Sequence, residues 1–261
     1  MQKERRDLAP PLSHSSRQGV QSIARAAAIL RSLEGSPTGL SLSEIAGATE
    51  LPISTAHRIV SALLDEELLA QGADGRIRLG SAVARLAAAG REALAERLRP
   101  LLVELRQELD ETVDLAVLDG AGVRFVDQLP APRRLRAVSS VGEAFPLHCT
   151  ANGKALLAAL PRERVETLLP NRLPRLTPQT ISSRTGLLSE LDRAREAGVA
   201  FDREEHTEGI CAVGAAILED ESPVAAISVP VPAQRFAGRE RELGDAVRAT
   251  ARRATTLLSG A

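Results

Sequence analysis

Tyrosine and tryptophan are absent from this sequence, and four phenylalanines are its only benzenoid side chains in 261 residues. Proteins that stack nucleic-acid bases on aromatic side chains, such as RNA-recognition sheets and single-strand binders, depend on such rings. The composition therefore argues against those two classes. The two cysteines, Cys149 and Cys211, are too few for a secreted disulfide framework or a structural zinc cluster.

Long hydrophobic runs are also missing, and none approaches the roughly 20 residues that a membrane span needs. The N-terminal residues contain charge and proline but no apolar core of an export signal. We therefore expect a soluble, cytoplasmic protein that does not bind a membrane. The net charge of −1 gives no direct indication of a nucleic-acid partner. An apolar fraction of 44% is sufficient for a sizeable folded core.

The N-terminal region changes character near residue 20. Residues 1–16 are polar, contain proline and serine, and show no periodicity, so we expect a mobile arm. From Ser22 onward, apolar residues recur every three or four positions, which predicts a helix. Gly35, Pro37 and Gly39 are expected to end it.

Two further helices are predicted after short intervals. Ser41 and Glu44 match a capping box, in which the serine side chain accepts a backbone N–H and the glutamate reaches back. Pro52 suits the start of a third helix, from about Ile53 to Glu66, because the first helical turn does not need its N–H.

A hairpin and a long helix are predicted next. Two short runs, residues 68–71 and 76–79, flank a turn that contains Asp74-Gly75, which is a strong hairpin signal. Residues 81–109 are rich in alanine, leucine and arginine and predict helix, with interruptions at Gly90 and Pro100. Such a helix can connect two domains.

The rest of the chain alternates between strand-like and helical patterns, which predicts a second, mixed α/β domain. The expected strands are residues 113–118, 123–127, 136–141, 199–203, 213–218 and 224–231. The expected helices are residues 152–160, 162–169, 187–197 and 239–258, and residues 176–183 are expected to form a loop.

The order of the N-terminal elements predicts a winged helix-turn-helix. In that arrangement the second helix of the motif enters the major groove, and the first contacts the DNA backbone. Arginine can bridge guanine O6 and N7, while serine and threonine contact bases or phosphates. The residues expected to contact DNA are Ser41, Ser43, Ser54, Thr55, His57, Arg58, Arg76 and Arg78.

A small packing module with solvated arginines is the alternative interpretation of this segment. Residues 17–79 contain six arginines and seven acidic residues, so the domain is not basic by count. The acids Asp65, Glu66 and Glu67 stand at the far end of the proposed recognition helix. We expect one copy to bind DNA weakly, and a dimer that reads two half-sites to double the contacts.

The N-terminal segments GVQSIARAAAILRSL, SLSEIAGATELPISTAHRIVSALLDEELL and DGRIRLG resemble the DNA-binding domain of the IclR family of bacterial transcriptional regulators. The segments ETVDLAVLDGAGVRFVDQL, VGEAFPLHCTANGKALLA, LTPQTISSRTGLLSELDRAREAGVAFDREEH and AAISVPVPAQR resemble the ligand-binding domain of the same family. These segments occur in the same order as in the family, from about Gly19 to Leu258.

The resemblance implies an α+β protein with a winged helix-turn-helix domain over residues 17–80 and a linker helix over residues 81–98. A GAF-like α/β effector-binding domain would cover residues 99–261. The family binds double-stranded operator DNA as a homodimer or a dimer of dimers, under the control of a small metabolite such as an organic acid. Repression is the commoner outcome, and the resemblance implies neither a cofactor nor a metal.

The family's effector pocket lies between the loop before the GKA helix and the strands that follow the DxEE segment. The effector-binding residues implied by this resemblance are Phe145, Leu147, Ala151, Asn152, Asp202, Ala212, Ser228 and Pro230.

The sequence departs from relatives that respond to glyoxylate or pyruvate, in which an aspartate, a cysteine and two serines line the acid. Asp202 and Ser228 match, but Pro230 stands at the second serine position and Ala212 at the cysteine position. Cys211 is one residue earlier, and a one-residue offset points a strand side chain to the opposite face. We therefore expect an effector that is larger or less polar than glyoxylate.

Catalytic motifs receive less support. His148 and Cys149 are adjacent, so on a strand their side chains point apart, and a loop position at the pocket mouth is the simpler interpretation. Gly153-Lys154 lacks the serine or threonine of a phosphate-binding loop because Ala155 follows. Lys154 is therefore expected to be a structural or surface residue.

Metal ligation and acid–base chemistry are also weakly indicated. Cys149, His206 and Cys211, with Asp202, include types of residue that bind zinc, but they contain no close ligand pair with zinc spacing. Asp202 is expected to contact the ligand, beside glutamates 204 and 205 that are solvated or salt-bridged. We do not expect an enzyme. The alternative is a small-molecule enzyme or sensor whose N-terminal domain only mediates oligomerisation.

Overall fold

The computed structural model describes residues 14–36, 38–137 and 141–260. The chain divides into two compact units, residues 1–89 and residues 90–261. Most of the expected N-terminal arm, residues 1–13, lies outside the described residues. Within the described part, no helix is both long enough and apolar enough to cross a membrane.

The first unit has the element order of a winged helix-turn-helix. An antiparallel two-stranded hairpin follows three helices, and Leu69 pairs with Leu79 across it. This order confirms the predicted motif. The elements are α1 (His14–Ser32), α2 (Leu42–Ala48), α3 (Ile53–Asp65), β1 (Leu69–Gln71) and β2 (Ile77–Leu79).

Apolar residues at helical spacing form one core in this unit, because they place a buried stripe on each helix. The wing joins that core through Ile77, which is 3% exposed and also forms a backbone bridge with Leu40. The buried members of the core are Ile29, Leu33, Ile45, Val60, Leu63, Leu69 and Ile77.

Helix α1 begins at His14 rather than at Ser22, so its N-terminal end was predicted too late. The prediction relied on apolar periodicity, and residues 14–21 contain few apolar side chains. Residues 14–16, which were expected to belong to the arm, are therefore helical.

Helix α4 (Ser81–Leu109) is continuous over 29 residues, so the interruptions expected at Gly90 and Pro100 are wrong. Proline removes one helical hydrogen bond and crowds the preceding turn. Leu98 and Leu102 are both fully buried on either side of Pro100, and this packing holds the helix together.

The second unit is built on a six-stranded sheet in which neighbouring strands are antiparallel. The order of strands across the sheet is β5-β4-β3-β8-β7-β6. Its strands are β3 (Val113–Asp119), β4 (Gly122–Leu129), β5 (Ala144–Pro146), β6 (Ala200–Arg203), β7 (Ile210–Glu219) and β8 (Ser222–Pro232).

Helices cover both faces of this sheet, so the unit has two cores. The C-terminal part of α4 and helix α9 pack on one face, and α5, α6 and α7 pack on the other. This arrangement confirms the expected α+β fold class. The remaining helices are α5 (Ala151–Ala159), α6 (Arg162–Leu168), α7 (Arg184–Ala197), α8 (Ala233–Phe236) and α9 (Glu240–Ser259).

The strand expected over residues 136–141 is not formed by its described residues, Arg136, Ala137 and Val141. The backbone carbonyl of Ala137 instead accepts a hydrogen bond of 2.8 Å from the Thr112 hydroxyl. The strand that pairs with β4 in this region is β5, which lies later in the chain.

Candidate functional site

The capping box of α2 is present as predicted. The Ser41 hydroxyl accepts a hydrogen bond from the Glu44 backbone N–H at 3.3 Å, and a Glu44 carboxylate oxygen accepts one from the Ser41 N–H at 2.7 Å. These hydrogen bonds hold the pKa of Glu44 below its usual value. Ser43 is exposed on the same first turn, while the Ser41 side chain is occupied by the cap.

Helix α3 presents polar residues on the side opposite its buried stripe. Ala56, Val60 and Leu63 are buried, and the predicted reading residues lie on the accessible surface. Those residues are Ser54, His57 and Arg58, which are exposed, and Thr55, which is half-buried.

The N-terminal end of α3 has no side-chain cap among the described residues. Pro52 precedes the first turn of this helix. The Thr55 N–H donates to the Pro52 carbonyl at 2.9 Å. The N–H groups of Ile53 and Ser54 remain available to an anion. Ile53, which the sequence analysis did not select, is 58% exposed here and offers an apolar surface for a thymine methyl group.

The two wing arginines have partners within the first unit. The Arg76 guanidinium donates to the Gly39 carbonyl at 3.0 Å and lies 3.3 Å from the Glu44 carboxylate. Arg78 pairs with Asp74 at 2.6 Å near the tip of the hairpin. Both arginine side chains are about one-third exposed and already paired with carboxylates. A phosphate that approached them would therefore compete with those carboxylates.

The second unit contains a cavity of about 290 Å³ over one face of its sheet. Strand register builds the floor: Asp202 pairs with Ala212, which pairs with Pro230. In the adjacent row, Ser228 pairs with Asp114. Residues separated by two positions on a strand share a face, so both rows point into the same cavity.

The start of α5 forms the opposite wall. The Thr150 hydroxyl caps this helix by accepting the Gly153 N–H at 3.2 Å, which leaves the N–H groups of Ala151 and Asn152 at the cavity. Asn152 is 2% exposed, and its Oδ1 atom has no hydrogen-bond partner within the described residues. An unsatisfied buried polar atom beside a cavity favours a bound ligand.

Aromatic rings form a third wall. Phe125 meets Phe145 edge to face, with ring centroids 5.0 Å apart. His206 stacks on Phe145 with a centroid distance of 4.3 Å and an interplanar angle of 15°. Burial lowers the pKa of His206, so its ring is neutral at pH 7. This wall suits the flat apolar face of a ligand.

Carboxylates give the cavity a polar floor. Burial raises the pKa of Asp202 to about 7, and the nearby Glu205 charge adds to this rise. The Asp202 Oδ1 atom also accepts the backbone N–H of Glu205 at 2.7 Å. Asp114 accepts a hydrogen bond from Gln128 at 2.7 Å. The cation in the cavity lining is the exposed Arg136.

Seven of the eight expected effector residues line this cavity. Leu147 is the exception within the described structure. It follows the last residue of β5, Pro146, and its side chain is buried in the core beneath α5. Asp114 was detectable in the sequence, because it is a charged residue within an apolar strand. Lining residues that the sequence analysis missed are Asp114, Phe125, Arg136, Ala137, Thr150, His206, Thr207 and Ile210.

Neither cysteine is among the described residues that line the cavity. Cys211 is in the core on the opposite face of the sheet, as its one-residue offset predicted. Burial raises the pKa of its thiol to about 11 and that of the Cys149 thiol to about 12, so neither is activated. His148 and Cys149 lie in a turn rather than on a strand, and the His148 ring meets the Pro174 carbonyl at 2.8 Å.

The described residues contain no group of three or more His, Cys, Asp or Glu side chains that could hold a metal ion. Cys149, Asp202, His206 and Cys211 therefore do not assemble into a ligand set in this part of the chain. Lys154, which was expected to be a structural or surface residue, is completely buried.

The first unit and the cavity together define a winged helix-turn-helix protein with a ligand-sized site in a second, α/β unit. The chain belongs to the IclR family: the IclR helix-turn-helix domain matches residues 22–73, and the bacterial transcriptional regulator IclR C-terminal domain matches residues 86–256.

Several relatives that match most of the chain are named as HTH-type transcriptional regulators or repressors. The chain is 55% identical over 230 residues to the HTH-type transcriptional regulator Rv1719 of Mycobacterium tuberculosis, covering 88% of this chain and 89% of that one. It is 40% identical to the regulator TtgV of Pseudomonas putida, covering 83% of each. It is 34% identical to the transcriptional repressor AllR of Escherichia coli, covering 92% of this chain and 91% of that one.

Solved structures share the fold. IclR of Thermotoga maritima is 27% identical, with a TM-score of 0.62 over 92% of this chain and 99% of that one. An IclR homologue from Microbacterium hydrocarbonoxydans, in complex with 4-hydroxybenzoate, is 27% identical, with a TM-score of 0.61 over 92% of this chain and 100% of that one.

Proposed function

We propose that this protein is a sequence-specific transcriptional repressor, not an enzyme, and that a small organic metabolite controls its binding to operator DNA. The observation that carries the proposal is the buried Asn152 amide oxygen, which has no hydrogen-bond partner among the described residues and lies at a cavity of about 290 Å³. The same chain also contains a helix-turn-helix. The repressor name of the AllR relatives supports the sign of regulation.

DNA recognition is assigned to the exposed face of α3. Ser54, Thr55, His57 and Arg58 would read the major groove, and the open N-terminal end of the helix would bind a phosphate. Ser41 at the N-cap of α2 and Ser43 in its first turn, with the wing arginines 76 and 78, would contact the flanking backbone.

Operator binding is proposed to require a homodimer or a dimer of dimers. Residues 17–79 carry more acidic than basic side chains, so the electrostatic contribution of one copy is small. Two copies double the number of base and phosphate contacts. A regulator of this kind acts on the chromosome, so the proposed location is the cytoplasm of a bacterial cell.

The proposed effector is an organic acid or related metabolite that is larger and less polar than glyoxylate. Pro230 supplies neither a hydroxyl nor an N–H to the cavity, while Phe125 and Phe145 line it. The relative that binds 4-hydroxybenzoate supports an effector of aromatic size. Release of the protein from its operator by micromolar glyoxylate or pyruvate alone would show that this assignment is wrong.

A gel-shift titration with the intergenic DNA upstream of the gene tests the DNA-binding role. We expect the full chain to retard this DNA specifically and the Arg58→Ala variant to lose about tenfold or more in affinity. Arg252→Ala, which removes an exposed arginine from α9, is the control and should bind normally. No retardation by the wild type would favour the enzyme or sensor alternative, and unaltered retardation by Arg58→Ala would place recognition elsewhere.

A further inference from the structure

Helix α5 carries a lysine that is 0% exposed, in a chain where lysine is otherwise found only at position 3. The Lys154 ammonium lies 2.5 Å from a Glu205 carboxylate oxygen and 3.6 Å from a Glu190 carboxylate oxygen. Burying an ammonium group is unfavourable unless the charge is paired in good geometry. The position of Lys154 is therefore fixed by its two carboxylate partners.

Glu205 belongs to the turn over residues 202–206, which includes the last two residues of β6 and contributes two side chains to the cavity wall. Those side chains are Asp202 and His206, whereas the Glu205 side chain points to Lys154. Glu204, in the middle of the turn, has a left-handed φ of 61°, which a non-glycine residue adopts only when its surroundings hold it there.

Side chains hold the backbone of the turn by hydrogen bonds on both of its sides. Asp202 Oδ1 accepts the backbone N–H groups of Glu205 at 2.7 Å and His206 at 3.4 Å. The Thr180 hydroxyl donates to the Glu205 carbonyl at 2.6 Å. The ion pair with Lys154 joins the turn to α5.

Helix α5 provides the facing wall. Ala151 and Asn152, which line the cavity, lie within one helical turn of Lys154 on the same helix. Lys154 thus connects the wall formed by the start of α5 to the wall formed by Asp202 and His206. It is not among the described residues that line the cavity.

We propose that Lys154 is a positioning residue for the effector site. Its ion pair with Glu205 fixes the spacing between the two walls and keeps His206 stacked on Phe145. This role rests on the proposed function of the cavity as an effector site. The second Glu205 oxygen, Oε2, is buried and has no hydrogen-bond partner among the described residues. Oε1 accepts a long hydrogen bond of 3.5 Å from the Arg203 backbone N–H, so the 2.5 Å contact with Lys154 is the closer of its two contacts.

The effect of the Lys154–Glu205 pair on the position of the turn can be separated from its effect on folding stability. Replacing a buried ion pair by apolar residues of similar volume is often neutral for folding, whereas removing one partner is costly. A Lys154→Met/Glu205→Leu double variant should therefore fold with nearly wild-type stability in urea titrations. If the pair positions the turn, His206 should be displaced from its wild-type position in the double variant even though that variant is stable.

The test is nuclear magnetic resonance of the full-length protein labelled with ¹³C at histidine ε1. The chain contains four histidines, and a His206→Gln variant assigns the His206 signal. Stacking on the Phe145 ring moves this signal upfield. Spectra at pH 8.5 keep the imidazole neutral, so that charge changes at neighbouring residues do not alter its protonation.

We expect Glu205→Gln and the double variant each to lose more than half of the upfield displacement. Glu205→Gln preserves side-chain volume and keeps the test independent of the double variant. Glu190→Gln is the matched control, because it removes a carboxylate from the same lysine but lies on α7, away from the turn. It should keep the wild-type His206 signal.

An unchanged His206 signal in Glu205→Gln and the double variant would overturn the proposal, as would an equal displacement in Glu190→Gln. Gel shifts of the same variants with upstream DNA keep this outcome distinct from a failure of the proposed function. Lys154 and its partners lie in the second unit, so operator binding without effector should persist within about twofold.

Discussion

Asp202 shows how the surroundings of a single residue set its chemistry. It is 5% exposed, and burial together with the Glu205 charge raises the pKa of its carboxyl group to about 7. The folded protein therefore binds a proton at Asp202 more tightly than the unfolded chain, in which the pKa is close to 3.8. The residue thus makes folding stability sensitive to pH within the physiological range.

This shift predicts that the Asp202 contribution to the free energy of unfolding falls as pH rises from about 4 to about 7 and is constant above that. The slope over this range is on the order of 1 kcal/mol per pH unit. Asp202→Asn removes the titrating group but keeps an oxygen that can accept the Glu205 N–H. We expect urea unfolding of this variant to show a shallower decline in stability between pH 5 and 7.

Asp220→Asn, an exposed substitution of the same type, is the control and should follow the wild-type pH dependence. An identical slope in Asp202→Asn and wild type would contradict the raised pKa of Asp202.

The location of a residue in the site could be predicted from the sequence where its pattern was local or matched the family. Asn152, Asp202 and Ser228 line the cavity as the resemblance implied. His206 and Lys154 were not assigned their places, because stacking on a distant ring and burial against a distant carboxylate depend on tertiary packing. Neither position lies in an amphipathic pattern that would reveal such a contact.

At the level of elements, the wing shows that a basic hairpin need not present free charges. Arg78 is paired with Asp74, so a DNA phosphate that bound Arg78, as proposed, would have to displace that carboxylate. We predict opposite effects of two substitutions in anisotropy titrations with upstream DNA. Arg78→Ala should lower affinity and reduce the salt slope by about 1 for each copy at the operator, whereas Asp74→Asn should raise affinity severalfold.

Glu34→Gln removes one negative charge from the same unit at an exposed position outside the wing. It separates local competition from net charge. An equal gain from Glu34→Gln would mean that net charge alone explains the Asp74→Asn effect, and unchanged binding by Arg78→Ala would exclude a wing contact at Arg78.

The packing of α5 on β7 depends on Gly214. A Cβ atom at this position would lie 2.9 Å from the Ala151 carbonyl carbon and oxygen, which is closer than such contacts normally allow. We predict that Gly214→Ala lowers the free energy of unfolding by about 1–3 kcal/mol. The measurement is urea unfolding of the full chain.

Gly90→Ala provides a matched comparison within α4, where a Cβ atom would have no described neighbour within 4 Å. This change should stabilise the protein by about 0.5–1 kcal/mol, because alanine favours helix more than glycine does. Equal effects of the two substitutions would show that α5 does not approach β7 as closely as described.

Most elements could be predicted from periodicity and turn signals, including the capped α2, α3, the hairpin and α9. The failures have different physical causes. Helix α4 persists through Pro100 because the buried leucines on both sides outweigh one lost hydrogen bond. Strand β5 has only three residues, Ala144–Pro146, too few for an alternating pattern to be evident.

At the scale of the whole molecule, the proposed regulation requires that ligand binding in one unit changes DNA binding by the other. A ligand shifts an equilibrium only by the difference between its affinities for the two states. Linkage then requires that operator DNA changes the affinity for the ligand by the same factor. The continuous helix α4, which begins in the first unit and ends in the second, is a covalent connection through which this coupling can act.

The most direct test of the central claim is an anisotropy titration of upstream DNA with the full chain, with and without a compound that raises its melting temperature. A compound that binds the folded state raises that temperature by mass action. If the effector site is coupled to the DNA-binding unit, such a compound should change operator affinity by at least about fivefold. Ala212→Phe, which fills the cavity, should abolish both effects, whereas the exposed control Ala197→Phe should retain them. Stabilising compounds that leave operator affinity unchanged in the wild type, or that act equally on Ala212→Phe, would contradict that claim.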